Sequence, residues 1–437
     1  ATVTRVGGFE PAQKKEWIRT YFGPLGRGPA PEKLTVPTTQ PIAARVTQLD
    51  RVQFPRVYWT WSGVAETEPD AAALELLSRI LAGSDTSRLE QTLVNKSQVA
   101  LQVSAGSDSN EIDGLFKIAA TVAPGSSVQA VEDILAQEIE KVRAEAPPET
   151  GLASVKTKVR TQTLVSLAAP SQRAFVIGMG LAKFDDPHFY QKTLVDYHRV
   201  TCDDIQRVAK QYLLENKMVL VIEPLKPGES ESPAVLSGPI PSDKPSKTIE
   251  SVPTGPGPDW TKLPAPSPQG RFTAPSFQRR VCANGLEIWV APWNTLPLVS
   301  ANLLVRTGAS DDSIDKAGLA TLVATLWEKG TEDLTATEFA EALDALGTTL
   351  LVGAGSDTTQ LSFTIEKSSL PQAFDLVGQM ITKPRFDATD FQREKKLQLS
   401  ELASGPDSLS WIAGRVLPTL LYGRRHPFAA PPLGFDE

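Results

Sequence analysis

A proline-rich segment over residues 226–275 divides this chain and constrains its fold more than any other feature. Twelve prolines fall within these fifty residues, together with many Ser, Gly and Lys residues and few large apolar side chains. Such a composition favours an extended, semi-rigid connector over a packed helix or sheet. We therefore expect a first folded block before the segment and a second block after it, as the length of 437 residues also suggests.

The overall composition argues against several classes of function. A net charge of −7 and an isoelectric point near 5.3 argue against nucleic acid or an anionic membrane as the partner. No apolar run reaches the roughly 18–20 residues that a membrane-spanning helix needs. The two cysteines, Cys202 and Cys282, provide neither a disulfide framework nor a metal cluster. We therefore predict no nucleic-acid partner and no membrane span.

The first block alternates helices with short strands. Apolar residues at helical spacing after Asp70, and the acidic pair that follows Thr201, are typical of helices with favourable N-terminal ends. Residues 56–62 carry β-formers in period-two order, which predicts a strand. The pattern predicts helices over residues 11–22, 70–83, 84–93, 127–144, 151–181 and 201–213, and strands over residues 56–62, 98–104, 115–122 and 218–222.

The second block combines hairpins with helices. Asn284-Gly285 is a strong hairpin turn signal within residues 280–291. Because strands and helices are mixed and hairpins are prominent, we predict that each block is α+β with a mainly antiparallel sheet. The pattern predicts further strands over residues 299–307, 349–352 and 360–365, and helices over residues 317–327, 335–346, 370–380 and 387–403.

Residues 316–331 carry the pattern that points most clearly to a family. They read Lys-Ala-Gly-Leu-Ala-Thr-Leu-Val-Ala-Thr-Leu-Trp-Glu-Lys-Gly-Thr. This stretch resembles the signature helix of the pitrilysin/insulinase family of zinc peptidases, where Gly-Leu-Ala-His-x-x-Glu-His is followed by Lys-Gly-Thr. Thr321 and Thr325 stand at the two histidine positions, and Ala324 stands at the glutamate position.

These replacements remove the chemistry of the motif. Two imidazoles four residues apart lie on one helical face and bind Zn²⁺, and the glutamate acts as general base on the metal-bound water. Threonine hydroxyls are poor zinc ligands, and alanine has no proton-accepting side chain. The chain has only His188, His198 and His426, and no two of them are four residues apart. The resemblance therefore implies that this chain itself lacks the zinc ligands and the general base.

Two further family positions are recognisable. The family's third zinc ligand is a glutamate on a later helix, and the family spacing from Thr325 leads to Glu401. A Ser-Arg-Leu motif in the domain that completes the catalytic site supplies a substrate-binding arginine, for which Arg88 is the counterpart here. Leu101 stands where that motif has a tyrosine, and a leucine cannot donate a hydrogen bond to an oxyanion. The resemblance thus implies at most a retained third-ligand position and a weak substrate-binding residue.

The resemblance also implies a domain order. It predicts repeated domains like those of mitochondrial processing peptidase and LuxS, with helices packed on one face of each sheet. Residues 12–225 resemble the family's C-type domain, and residues 1–11 resemble the end of a preceding zinc-type (N-type) domain. Residues 226–275 are the linker, and residues 276–437 resemble an inactive N-type domain that is truncated at its C-terminal side. This order is similar to that of domains two and three in a four-domain enzyme.

The leading functional hypothesis is that the chain is the non-catalytic central part of a zinc metalloendopeptidase. It would form chamber wall and a peptide-binding surface for peptides or unfolded polypeptides, with zinc in an upstream domain and a further C-type domain downstream. The alternative is an inactive partner or scaffold subunit that assembles with a separate active peptidase subunit. The resemblance favours a periplasmic or secreted location. A Gly-rich phosphate loop, a Gly-x-Ser-x-Gly elbow and a Cys/His nucleophile pair in a suitable context are all missing from the sequence, which leaves unrelated enzyme chemistry with little support.

Overall fold

The computed structural model describes residues 2–25, 43–226, 274–405 and 408–435 of the chain. The helices in these ranges are α1 (Pro11–Phe22), α2 (Ala71–Ala82), α3 (Val128–Ala144), α4 (Glu149–Ala168), α5 (Pro170–Phe184), α6 (Phe189–Arg199), α7 (Cys202–Tyr212), α8 (Leu319–Trp327), α9 (Ala336–Ala345), α10 (Leu370–Thr382), α11 (Ala388–Ser404) and α12 (Leu409–Tyr422). The strands are β1 (Ala44–Asp50), β2 (Arg56–Ser62), β3 (Ala100–Ser109), β4 (Gly114–Val122), β5 (Met218–Pro224), β6 (Gln278–Val281), β7 (Glu287–Val290), β8 (Leu298–Val305), β9 (Leu351–Ala354) and β10 (Thr359–Glu366).

The first block contains a five-stranded sheet in the order β1-β5-β2-β4-β3. All neighbouring strands are antiparallel except β1 and β5, which run parallel. Alternate residues of β2, Val57, Trp59 and Trp61, are buried, because successive side chains of a strand point to opposite faces. Helices α2, α3 and α7 supply the other half of this core. The predicted α+β class with a mainly antiparallel sheet is confirmed.

A buried carboxylate anchors α3 to the sheet. Glu132 is 7% exposed and accepts two hydrogen bonds from the Arg45 guanidinium, at 2.9 and 3.0 Å. It also accepts one from the Trp59 indole nitrogen at 3.0 Å. A buried charge is tolerated when its oxygens are paired in this way. The contact fixes α3 (Glu132) against β1 (Arg45) and β2 (Trp59).

The second block contains a three-stranded antiparallel sheet in the order β8-β10-β9. Phe339 of α9 and Met380 of α10 pack with Phe363 and Ile365 of β10 to form its core. The predicted pairing of residues 349–352 with residues 360–365 is confirmed as the β9–β10 hairpin. Its strands begin and end one or two residues away from the predicted limits. This sheet and its two helices support α8, which lies against β9.

The predicted helix starts are confirmed where a side chain caps the helix. Thr201 accepts from the backbone N–H of Asp204, and the Asp204 carboxylate accepts from the backbone N–H of Thr201. Thr335 and Glu338 form the same reciprocal pair at the start of α9. Each pair satisfies two backbone donors that a helix leaves unpaired at its N-terminal end.

Two predicted helices differ from the structure. A single helix over residues 151–181 was expected, but the chain breaks at Ala169, since Pro170 has no N–H and disfavours a helical residue before it. A helix over residues 84–93 was also expected. Residues 84–87 instead form a turn, and the π-helical segment Glu90–Lys96 follows. Strand β1 was not foreseen, because its partner among the described strands is the distant strand β5.

The chain separates into two compact units. The larger one holds residue 2 and the described parts of residues 39–233 and 298–437, and therefore the five-stranded and the three-stranded sheets. The smaller one contains α1 and the β6–β7 hairpin, whose turn confirms the Asn284-Gly285 signal with Gly285 at φ +85°. The predicted boundaries at residues 11, 225 and 275 stay a prediction, and most of the proline-rich segment lies outside the described residues.

Taken singly, the helices in the described ranges are too short or too polar to cross a membrane. Among these helices, only α4 and α5 taken together have the length and apolar composition of a membrane span, and the two are bent by 108° at their junction.

Gly347 provides a test of how closely the two blocks approach each other. Its φ is +70°, and a Cβ at this position would lie 2.7 Å from Thr157 Cγ2 and 2.9 Å from Thr161 Oγ1, both on α4. Gly125 has a similar φ of +80° but open space around it. We expect Gly125→Ala to lower the free energy of unfolding by about 1 kcal/mol, from backbone strain alone. Gly347→Ala should lower it by roughly 2–3 kcal/mol, because the added methyl also clashes with α4.

Urea unfolding followed by circular dichroism measures both variants. Equal losses for the two substitutions would contradict the close contact between Gly347 and α4.

Candidate functional site

Helix α8 begins at a turn that only glycine adopts easily. Gly318 has φ +97°, and a Cβ there would lie 2.8 Å from the Leu433 carbonyl oxygen. The Asp312 carboxylate accepts from the backbone N–H groups of Gly318 and Ala320 at 3.1–3.2 Å. A carboxylate at the positive end of a helix stabilises it. The start of α8 is therefore held by backbone geometry and by Asp312, independently of the residues at the histidine positions.

Both threonines at the histidine positions hydrogen-bond to backbone carbonyls. Thr321 Oγ1 donates to the Pro432 carbonyl oxygen at 2.6 Å, and Thr325 Oγ1 donates to the Thr321 carbonyl oxygen at 3.1 Å. The second bond is the back-bond that Thr forms within a helix. The first ties α8 to the turn near the end of the described chain. Each hydroxyl hydrogen is thus used in a structural contact.

Ala324 packs into the interior, with 2% of its surface exposed. A general base at this position needs space and a polar environment, and a buried methyl group offers neither. Within the described ranges, no group of three or more His, Cys, Asp and Glu side chains has a geometry that could bind a metal ion. The residues at positions 321, 324 and 325 therefore do not fit a zinc ion.

Glu401 lies on α11, which packs against α8. Lys329, just after α8, pairs with Glu394 at 3.5 Å, and Gln398 donates to the Gly318 carbonyl oxygen at 3.4 Å. These contacts show that the two helices run antiparallel. Glu401 is about one turn beyond Gln398 and therefore lies toward the start of α8. The residue is exposed. Its assignment as the third-ligand position stays a prediction.

Arg88 has a structural partner. Its Nε donates to Glu138 Oε2 at 3.2 Å, and Lys141 pairs with the other oxygen of Glu138 at 2.6 Å. The Glu138 side chain is only 5% exposed, so Arg88 neutralises a largely buried carboxylate. Leu101 lies in β3 at a β-bulge, where the register with β4 shifts between Ala100 and Gln102. A substrate-binding role for Arg88 stays a prediction.

Asp344, near the end of α9, joins the two blocks. Its carboxylate accepts hydrogen bonds from Ser84 Oγ at 2.7 Å and Thr86 Oγ1 at 2.6 Å. Lys158 Nζ on α4 lies 2.7 Å from its other oxygen. All three donors belong to the first block. This cluster was not predicted from the sequence, where its only signal is an acidic residue in the last turn of a predicted helix.

A cavity of about 670 Å³ lies beside the Asp344 cluster. Residues of both blocks line it: the loop that carries Ser84 and Arg88, the start of α4, and one side of α9. This volume is within the roughly 300–1,000 Å³ typical of ligand-binding pockets. Most of its lining belongs to the first block, and α9 supplies the remaining side.

Two carboxyl groups near the same interface have raised pKa values. Burial raises the pKa of Glu328 to about 7, and the nearby Asp85 and Glu394 carboxylates add to the increase, whereas Lys329 opposes it. Burial also raises the pKa of Glu90 to about 7, with Asp85 adding to the increase and Lys329 opposing it. No sequence motif marks these two glutamates as having raised pKa values, because the shifts depend on tertiary burial.

The sequence profiles of known families match both blocks. Residues 1–159 match the peptidase M16 inactive domain, and residues 292–411 match insulinase (peptidase family M16). Together the two matches cover more than half of the chain. The chain belongs to the insulinase family, peptidase family M16.

Named M16 relatives match only part of this chain. An uncharacterized zinc protease of Mycobacterium tuberculosis is 27% identical over 172 residues, which are 39% of this chain and 39% of that protein. An uncharacterized zinc protease of Bacillus subtilis, YmxG, is 24% identical over 161 residues, 37% of this chain and 39% of that protein. The chain therefore spans less than half the length of these two relatives.

Among solved structures, that of a protease from Helicobacter pylori has a TM-score of 0.44 and 19% sequence identity to this chain. The match covers 50% of this chain and 54% of that one. The family has zinc proteases among its members, and the match of residues 1–159 places a non-catalytic M16 domain in this chain.

Ala324 provides a test of the packed interior of α8. We expect Ala324→Glu to lower the free energy of unfolding by about 2–4 kcal/mol, because the new carboxylate would be buried without a partner. The matched control is Val323→Glu, which changes the neighbouring residue, 38% exposed. It should change the stability by less than about 1 kcal/mol. Urea titration measures both, and an Ala324→Glu variant as stable as Val323→Glu would contradict the packing of Ala324.

Glu328 provides a test of pH dependence. Since its pKa is raised from 4.5 to about 7 in the folded protein, the unfolded chain loses this proton first. The free energy of unfolding should therefore fall as the pH rises from about 4.5 to about 7. Glu328→Gln keeps an oxygen that can accept from the Val352 N–H, a bond of 2.9 Å in the native protein, and removes the titration. The variant should gain roughly 3 kcal/mol over the wild type between pH 4.5 and pH 8.

Chemical unfolding at several pH values measures this difference. The matched control is Glu332→Gln, since the Glu332 side chain is 66% exposed. Parallel stability curves for the wild type and Glu328→Gln would contradict the burial of that carboxyl group.

Proposed function

We propose that this chain is a non-catalytic part of an M16 zinc metalloendopeptidase. It forms part of the wall of the chamber in which the enzyme holds its substrate. The observation that carries the proposal is the state of α8. Its helical frame and capping are intact, while Thr321 and Thr325 donate to backbone carbonyls and Ala324 is buried. Such a helix supports a fold without supplying a metal site. The match of residues 1–159 to the family's inactive domain supports the same function.

In this proposal the zinc is bound outside this chain's α8, in an upstream zinc-type domain of the same polypeptide. The alternative is a separate active subunit with which this chain assembles as an inactive partner. The two differ in one feature of the encoding gene. A His-x-x-Glu-His helix in the reading frame upstream of Ala1 favours the first, and its absence favours the second.

The substrate class we propose is a peptide or an unfolded polypeptide. Two surfaces support it. The cavity of about 670 Å³ between the blocks is accessible to a side chain of an extended peptide. Strand β8 is at an edge of its sheet among the described strands, with β10 as its one neighbour, and Leu304 on it is 59% exposed. Backbone groups along such an edge accept an added strand. A periplasmic or secreted location is part of the proposal and rests on the family resemblance alone.

Peptide hydrolysis by the purified chain tests the proposal. With quenched fluorescent peptides of 10–20 residues, on the order of an extended substrate segment, we expect no cleavage above background, with or without added zinc. A fluorescein-labelled unstructured peptide should nevertheless bind, as measured by anisotropy. Cleavage that a metal chelator abolishes would contradict the non-catalytic role. Absence of any peptide binding would contradict the substrate-holding role.

A further inference from the structure

Part of the lining of the cavity of about 670 Å³ is apolar and buried. Ile80 on α2 and Val159 on α4 line it, and each is 9% exposed. Pro147 is buried in the same lining, and Ala342 contributes a methyl group from α9. Ligand pockets of this size combine an apolar surface with a few polar groups that fix the orientation of the ligand. The charged groups of the lining therefore determine which ligand the cavity accepts.

The first block supplies hydrogen-bond donors that its own residues leave unused. Arg88 donates through Nε to Glu138, and its two terminal nitrogens have no hydrogen bond in the described part of the chain. Arg79 donates through Nε to Glu75 and through Nη1 to Gln162, which leaves Nη2 without a partner among the described residues. Both arginines line the cavity. A guanidinium with two free terminal nitrogens binds a carboxylate through a pair of parallel hydrogen bonds.

The charge around Arg88 also favours an anion. The Glu138 carboxylate pairs with Arg88 at 3.2 Å and with Lys141 at 2.6 Å, so two cations share one negative charge. The Glu138 side chain is 5% exposed, whereas that of Arg88 is 31% exposed. The excess positive charge is therefore accessible at Arg88, and this wall of the cavity favours a carboxylate on the ligand.

Helix α9 supplies an acidic wall. Four residues at the spacing i, i+3, i+4 and i+7 line the cavity from one face of this helix: Glu338, Glu341, Ala342 and Ala345. The Glu338 carboxylate accepts hydrogen bonds from Thr335, and Asp344 is paired with Lys158. Glu341 is exposed and has neither a hydrogen bond nor an ion pair among the described residues. Its carboxylate is thus free to bind a cationic group of a ligand.

We propose that this cavity binds a short peptide of two or three residues with free ends and an apolar side chain. The peptide carboxylate binds Arg88 and Arg79, the peptide ammonium group binds Glu341, and the apolar side chain packs against Ile80 and Val159. In a free amino acid the two charges are attached to the same carbon atom and face one wall together. An extended tripeptide is about 10 Å long, so its two ends reach different walls.

This inference names the ligand class of a cavity that the proposed function also uses, and in that respect it rests on the proposed function. It goes further because it assigns both ends of the ligand to named side chains. A long polypeptide has its ends far from most of its segments and does not need these charges to bind elsewhere on the chain. Binding of short and of long peptides can therefore be measured separately.

Isothermal titration of the full chain with the tripeptide Leu-Ala-Leu tests the inference. Two blocked forms each remove one charge: N-acetyl-Leu-Ala-Leu lacks the ammonium group, and Leu-Ala-Leu amide lacks the carboxylate. We expect saturable binding of the free tripeptide. Each blocked form should bind about tenfold more weakly, because a hydrogen-bonded charge pair is lost in each case.

Two variants assign the ends of the peptide. Glu341→Gln should weaken binding of the free tripeptide by about tenfold and leave the affinity of the N-acetyl form unchanged, since that form has no ammonium group. Arg88→Lys keeps a cation beside Glu138 and removes the paired nitrogens. It should weaken binding of the free tripeptide without affecting the amide. The matched controls are Glu332→Gln and Arg173→Lys, exposed positions outside the cavity lining, which should change neither affinity.

Equal affinities of the free and blocked tripeptides would overturn the inference. A variant that weakens free and blocked forms to the same extent would also overturn it, because such a substitution acts through the fold and not through the charge. A chain that binds the long unstructured peptide but not Leu-Ala-Leu lacks this site and keeps the proposed substrate-holding role. A chain that binds neither contradicts both.

Discussion

The contact between the two blocks centres on one largely buried carboxylate whose side-chain donors, among the described residues, all lie in the other block. Asp344 accepts from Ser84 and Thr86 and pairs with Lys158, and these contacts bring α9 against α4 and the turn after α2. Neighbouring features follow from that contact. Gly347 can lie against α4 because it has no side chain, and the cavity of about 670 Å³ has walls from both blocks.

The same block that supplies Asp344 carries α8, whose sequence resembles the zinc-binding helix of the family. Helix α8 keeps the glycine turn at its start, and Asp312 caps its first backbone groups. Thr321 and Thr325, which the resemblance places at the family's histidine positions, each donate a hydrogen bond to a carbonyl within or near the helix. Ala324, which the resemblance places at the glutamate position, is buried. The helix therefore retains its structural role in the M16 fold while metal chemistry is absent from these three positions.

Local sequence signals predicted most of the individual elements. Thr201 and Thr335 each precede an acid three residues later, and α7 and α9 begin where this capping pattern places them. Asn284-Gly285 forms the expected hairpin turn. These features depend on residues close in the chain, so one sequence is sufficient to find them.

Features that depend on distant residues were not predictable in the same way. Ser84 and Thr86 lie in a turn rather than in the predicted helix, and their hydroxyls bond to Asp344, far away in the sequence. Among the described strands, β1 pairs only with β5, and the raised pKa of Glu328 follows from tertiary burial. The resemblance to the family assigned Thr321, Ala324 and Thr325 to the positions of the zinc motif. What their side chains contact could be learned only from the structure.

The central claim is that α8 supports the M16 fold without binding metal. Isothermal titration of the purified chain with zinc at neutral pH, in the presence of a weak competing chelator, tests this claim most directly. We expect no saturable binding, and Thr321→Ala and Thr325→Ala variants should give the same titration curve as the wild type. Tight binding of about one zinc per chain that either substitution weakens would contradict the claim.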